Sequence, residues 1–147
     1  KTYLISQLTV LLGGRAAEEV VFSEFSNGAG NDIKRATEIA RKMVCEWGMS
    51  EKLGPITYGG KHERVFLGKD LMDSKNFSDE TAKEIDDEIK NILNNVYKNA
   101  KNIIIENREK LEILSCKLME KEILNVEEIN EIILGEKNGQ EKNSDSN

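Results

Sequence analysis

One carboxylate stands out of pattern. Between Asn31 and Gly48 the residues Ile33, Ala36, Thr37, Ala40, Met43, Val44 and Trp47 recur at helical spacing. At about 100° per residue, Asp32 projects with Ala36, Ile39, Met43 and Trp47. Lys34, Arg35, Glu38, Arg41, Lys42 and Cys45 share the opposite side. A carboxylate on an apolar stripe has to be paired, hydrogen-bonded or metal-bound. The same placement also fits an ordinary first-turn aspartate facing the exposed N–H groups and the helix dipole.

The other chemically capable residues read more plainly. Glu18 and Glu19 follow Gly-Gly-Arg-Ala-Ala on an earlier helix, and Arg15 stands three and four residues before them. A surface ion pair accounts for all three, although Glu18 lies off the leucine stripe and can face a neighbouring helix. His62 lies in the polar run Gly59-Gly60-Lys61-His62-Glu63-Arg64 and reads as a solvated side chain. It is the only histidine, so no site of two or more histidines can be complete within this sequence. Cys45 and Cys116 form no CxxC and read as ordinary reduced thiols. Gly28-Ala29-Gly30 ahead of a helix lacks the preceding strand and the lysine of a phosphate-binding loop.

Composition narrows the classes further. Asp and Glu number 27 against 21 Lys and Arg, a net charge of −6 with an isoelectric point near 5.0. That acidity argues against a general phosphate-backbone binder, and 5% aromatics are too few for base-stacking platforms. No apolar run approaches the roughly 20 residues of a membrane span. The sequence starts at Lys1 without a methionine or a signal peptide, and we read it as a piece of something longer.

The elements that must position these side chains are mainly α-helical. A first helix is predicted from Thr2 to about Phe22, on a stripe of Leu4, Leu8, Leu12, Ala16 and Val20. Gly13-Gly14 inside it costs about 1 kcal/mol per residue relative to alanine, so a second helix is expected to approach closely there, the alternative being a break into two shorter helices. The second helix has Asn31 as its N-cap candidate and ends at Gly48. Ile56-Thr57-Tyr58 and Val65-Phe66-Leu67 predict a small β-hairpin. Ser78 opens a helix reaching about Glu106, with Ala82, Ile85, Ile89, Ile92, Val96, Ile103 and Ile104 on its buried side. Asn107 restarts a helix bearing Leu111, Leu114, Leu118 and Met119. Asn125 and Glu128 have capping-box spacing before a short helix, Val126 to Leu134. Residues 135–147 have no apolar side chain and are expected to be a disordered polar tail.

Five segments then add up to a resemblance. LLGGRAAEEVVF (Leu11 to Phe22), SNGAGNDIKRATEIARKMV (Ser26 to Val44), WGMSEKLGPITY (Trp47 to Tyr58), VFLG (Val65 to Gly68) and SDETAKEID (Ser78 to Asp86) occur in order with fitting spacing. Together they resemble the peptidase module of FtsH-type proteases, the membrane-anchored AAA+ zinc metallopeptidases, over residues 1–134. The resemblance implies that Asp32, the aspartate of a G-A-x-N-D motif, is the third protein ligand of a catalytic zinc. It implies that Glu18, the first glutamate of G-R-x-A-E-E, orients one of the zinc-bound histidines. Two histidines and the general-base glutamate belong to a HEXXH helix that this sequence lacks. The ATP- and magnesium-binding AAA+ module is absent too, so this chain alone is expected to be inactive.

The implied parent is an ATP-dependent zinc metalloendopeptidase degrading membrane and cytosolic proteins. It is expected to be a homo-hexamer, tethered through N-terminal segments to the cytoplasmic face of the bacterial inner membrane, with no nucleic-acid partner. A non-catalytic helical oligomerisation or assembly module is the alternative, and the presence of a HEXXH upstream of Lys1 discriminates the two.

Overall fold

The computed structural model describes residues 1–59 and 77–135 of the 147. They form five helices: α1 (Thr2–Phe22), α2 (Gly30–Cys45), α3 (Asp79–Glu106), α4 (Arg108–Lys121) and α5 (Val126–Leu134). The chain divides into two compact units, Lys1–Ile103 and a second beginning at Ile104. The mainly α reading holds. Ile56–Tyr58 are in no strand, and there is no strand among the described residues. The remainder of the expected hairpin, His62 and the tail from residue 136 on lie outside them.

In the first unit α2 contributes to two core clusters. Ala36 and Met43 pack with Leu8 and Leu12 of α1 and Val96 of α3. Ala40 and Val44 pack with Leu53, Ile85 and Ile89. Positions 36, 40, 43 and 44 are one helical stripe, and alanine at two of them lets neighbouring helices approach. Leu8, Met43 and Val44 are fully buried, each contributing about 1.5–3 kcal/mol from the area removed from water. The stripe is narrower than its sequence suggests, since Ile33 and Trp47 remain 38% and 45% exposed.

Helix ends follow local chemistry with two corrections. At the start of α3 the Ser78 hydroxyl accepts the Thr81 N–H at 3.1 Å, as its sequence predicts. The first turn of α2 begins two residues earlier than expected. Ala29, not Asn31, is its N-cap, and no side chain caps it. Its regular turns stop at Cys45, and the chain then widens, with Trp47 N–H on the Lys42 carbonyl and Met49 N–H on the Met43 carbonyl. Gly48 sits in that widened turn at φ +56°, where a Cβ would stand 2.9 Å from Pro55 Cα. Both the dihedral and the space require glycine there.

Gly13-Gly14 differs from expectation. α1 runs through both residues, and a Cβ at either would meet nothing within 4 Å. No described helix approaches them. Ile103 is likewise exposed, where its periodicity in α3 predicts burial, and Ala100 is buried instead. A straight helix drifts against any fixed stripe, so the buried face moves along its length.

The second unit holds α4 and α5, and neither buries a residue. The capping box before α5 forms as its spacing predicts. Asn125 Oδ1 accepts the Glu128 N–H at 2.8 Å, and Glu128 Oε2 accepts the Asn125 N–H at 3.1 Å. Lys110 Nζ donates to the Ile133 carbonyl at 2.6 Å, and Lys121 pairs with Glu128.

Candidate functional site

The candidate site is built where α1 ends and α2 begins. α1 closes on Ser23, in the left-handed conformation at φ 56°, with its N–H on the Glu19 carbonyl at 3.0 Å. Six residues then lead to Gly30. Ser-Asn-Gly-Ala-Gly is turn chemistry, and its polar groups are satisfied locally.

Glu18 organises that connection. Its Oε2 accepts the Ser26 N–H at 3.1 Å, and its Oε1 accepts the Ser26 hydroxyl. Ser26 Oγ in turn accepts the Gly28 N–H at 3.0 Å. The Gly30 N–H goes to the Asn27 carbonyl at 3.1 Å, and the Ile33 N–H to the Ala29 carbonyl at 3.0 Å. Two donors from Ser26 hold the Glu18 carboxyl below the usual carboxylate range, with a smaller pull from the Arg15 charge. The partner expected from spacing, Arg15, lies instead over the Phe25 ring, 3.6 Å from its centroid.

Glu19 points to a different partner set. Its Oε1 accepts from Lys101 Nζ at 2.6 Å and its Oε2 from the Tyr97 hydroxyl at 2.5 Å, tying α1 to α3. Lys101 and Tyr97 hold the Glu19 carboxyl below its usual range. Burial, reinforced by Glu19, pushes the Tyr97 hydroxyl up to about 12. Adjacent carboxylates thus do different work, one bracing a loop and the other a helix pair.

Asp32 stands in the first turn of α2 and is half-buried. It accepts no hydrogen bond and makes no ion pair among the described residues. That leaves an anionic oxygen donor partly withdrawn from water, the state of a carboxylate available to a cation. One carboxylate does not make a site. No group of three His, Cys, Asp or Glu side chains able to hold a metal occurs among the described residues. Asp32 therefore fits one ligand of a metal and not a complete set.

The remaining candidates separate from it. Cys45 and Cys116 are free thiols, and burial pushes the Cys45 thiol up, away from the reactive thiolate. In Gly28-Ala29-Gly30 the amides of Gly28 and Gly30 are spent on Ser26 and Asn27, so they cannot cradle a phosphate. An open hollow of about 170 Å³ is lined by Ile33, Leu12, Leu93, Arg15 and Tyr97. It is smaller than the roughly 300 Å³ at which small-molecule pockets begin.

Sequence reasoning missed Ser26, Tyr97 and Lys101. The Ser-Asn-Gly turn was the only signal for Ser26, and nothing in the spacing links Glu19 to residues 78 and 82 positions away.

Against known proteins, the sequence profile described as Peptidase family M41 matches residues 1–132. The chain belongs to peptidase family M41. It is 52% identical to ATP-dependent zinc metalloprotease FtsH 1 of Thermoanaerobacter sp. (strain X514), over 92% of this chain and 22% of that protein. It is 51% identical to ATP-dependent zinc metalloprotease FtsH of Thermotoga maritima, over 88% of this chain and 21% of the relative. With the FtsH of Bacillus subtilis (strain 168) it shares 48% identity over 99% of this chain and 24% of the relative. This M41 chain spans between a fifth and a quarter of the length of those relatives. The family supports the resemblance drawn from the five motifs, both segments of the candidate site included. No described helix of this M41 chain is long and apolar enough to cross a membrane.

Proposed function

We propose that these residues are the C-terminal part, 1–134, of the peptidase domain of an ATP-dependent zinc metalloendopeptidase, followed by a polar tail at 135–147. In this reading Asp32 is the third protein ligand of zinc, beside two imidazoles from a HEXXH helix outside this sequence. The observation that supports it best is the half-buried Asp32 carboxylate without a partner among the described residues, on a first turn anchored through Glu18. Zinc, when bound, acts as a Lewis acid that acidifies a water and polarises a peptide carbonyl.

This chain's own residues contribute rigidity. The α2 helix carries Asp32 on a turn whose next residues, Ala36 and Ala40, are fully buried, so the carboxylate has little freedom to wander. Glu18 spends two acceptor positions on Ser26, and a carboxylate has about four. The remaining lone pairs suit an imidazole N–H, consistent with orientation of a zinc-bound histidine. The parent enzyme is a homo-hexamer tethered to the cytoplasmic face of the bacterial inner membrane, drawing on ATP and magnesium bound elsewhere in its chain. Its substrates are membrane and cytosolic proteins. The segment alone hydrolyses nothing, since it brings one ligand of three and no general base.

The test is Asp32→Ala in the full-length enzyme. Peptidase activity should vanish and zinc binding weaken, while ATP hydrolysis persists. Full activity with stoichiometric zinc would remove Asp32 from the site.

A further inference from the structure

The connection between α1 and α2 has an unusual dependence. Three of its hydrogen bonds pass through one exposed serine. Ser26 donates its N–H to Glu18 Oε2 at 3.1 Å and its hydroxyl to Glu18 Oε1, and it receives the Gly28 N–H at 3.0 Å. The fit around it is close, since a Cβ at Gly28 would stand 3.2 Å from Ser26 Oγ and 3.8 Å from Glu18 Oε1. Beyond Gly28, the buried Ala29 caps α2 with no side-chain bond of its own. The first turn of α2 thus has the Ala29 carbonyl on the Ile33 N–H and no side-chain cap. Besides the packing of Ala36 on Leu8 and Leu12, the Glu18–Ser26–Gly28 relay ties the approach to α2 onto α1, and Asp32 is the third residue after Ala29.

We propose that Ser26 is a positioning residue for Asp32, and that Glu18 reaches the ligand helix through it. The inference rests on the reading of Asp32 as a zinc ligand. The serine hydroxyl joins the two elements through a single atom. It donates to a carboxylate on α1 and accepts from a backbone N–H at the entry to α2, using both capacities of one atom. Alanine at this position leaves the Gly28 N–H and one Glu18 oxygen to water. Threonine keeps the hydroxyl and so keeps the relay.

The experiment uses the full-length enzyme and compares Ser26→Ala, Ser26→Thr and Asp32→Ala. Zinc affinity is measured by competition with a chromogenic chelator, and backbone exchange by deuterium uptake across residues 26–33. Ser26→Ala should weaken zinc binding about tenfold, at the lower end of losses for groups that orient a ligand. It should speed exchange at Gly28 while leaving the amides around Ile89 unchanged. Ser26→Thr should stay close to wild type in both. A purely structural defect would not be rescued by restoring one hydroxyl. Wild-type zinc affinity in Ser26→Ala, with Asp32→Ala depleted, overturns the positioning role and leaves the ligand reading intact. Equal losses in Ser26→Thr and Ser26→Ala overturn it as well, and that arm also decides if the alanine variant folds poorly. Zinc retained by Asp32→Ala overturns the ligand reading and the positioning role together.

Discussion

The two units are both helical, yet they are held by different forces. In the first, α2 shares two clusters with its neighbours, and Leu8, Met43 and Val44 see no water. In the second, α4 and α5 bury no residue, and their polar ties are a capping box within α5 and, between the two helices, the Lys121–Glu128 pair and Lys110 on the Ile133 carbonyl. Packing depends on distant parts of the chain meeting at close-packed density, so it fails steeply when one atom group is removed. Caps and surface pairs are each small and nearly independent. A candidate ligand needs the first kind of support, and Asp32 stands on the helix that has it.

The sharpest way to break that contrast is a matched pair of methionines. Met43→Ala should destabilise the first unit by about 2–5 kcal/mol, through lost transfer energy and the cavity left behind. Met119→Ala, at a side chain 82% exposed, should change stability by less than about 0.5 kcal/mol. Urea denaturation of both variants measures the pair, and equal effects would erase the distinction between the units.

A smaller effect tests the second unit alone. Asn125→Ala removes half of the capping box and should cost α5 about 1 kcal/mol. Amide exchange should rise from Val126 to Ile129 and stay unchanged in α2. Loss of protection in both helices would mean that the cap serves more than its own turn.

The smallest expected effect concerns the tie between α1 and α3. Burial and the Glu19 carboxylate disfavour the Tyr97 anion and push its hydroxyl up to about 12, above an ordinary phenol. A folded pKa raised above the unfolded one gives stability that is complete below about 10 and is lost as pH rises toward 12. Ultraviolet absorbance should therefore show a late tyrosinate step that Tyr97→Phe abolishes. Glu19→Gln should move that step down only in part, since burial is the larger cause. The opposite sign holds for Glu19 itself. Its depressed carboxyl stabilises the fold above the usual carboxylate range and ceases to do so in acid.

Local chemistry was legible from the residues. The bounds of α1, the serine start of α3, the Asn125–Glu128 box and the place of Asp32 in a first helical turn all follow from periodicity and capping, which act over a few residues. The family followed from five motifs in order, a signal that needs no coordinates. Tertiary structure decided the partners. Arg15 stands at ion-pair spacing from Glu18 and Glu19, yet the two carboxylates go to Ser26 and to Tyr97 with Lys101. Gly13-Gly14 suggested a close helix that no described residue supplies, whereas the glycine that does meet a backbone is Gly48, against Pro55. Spacing along a helix states which side chains share a face. Which group lies opposite that face depends on how separate helices pack, and packing is a property of the whole chain.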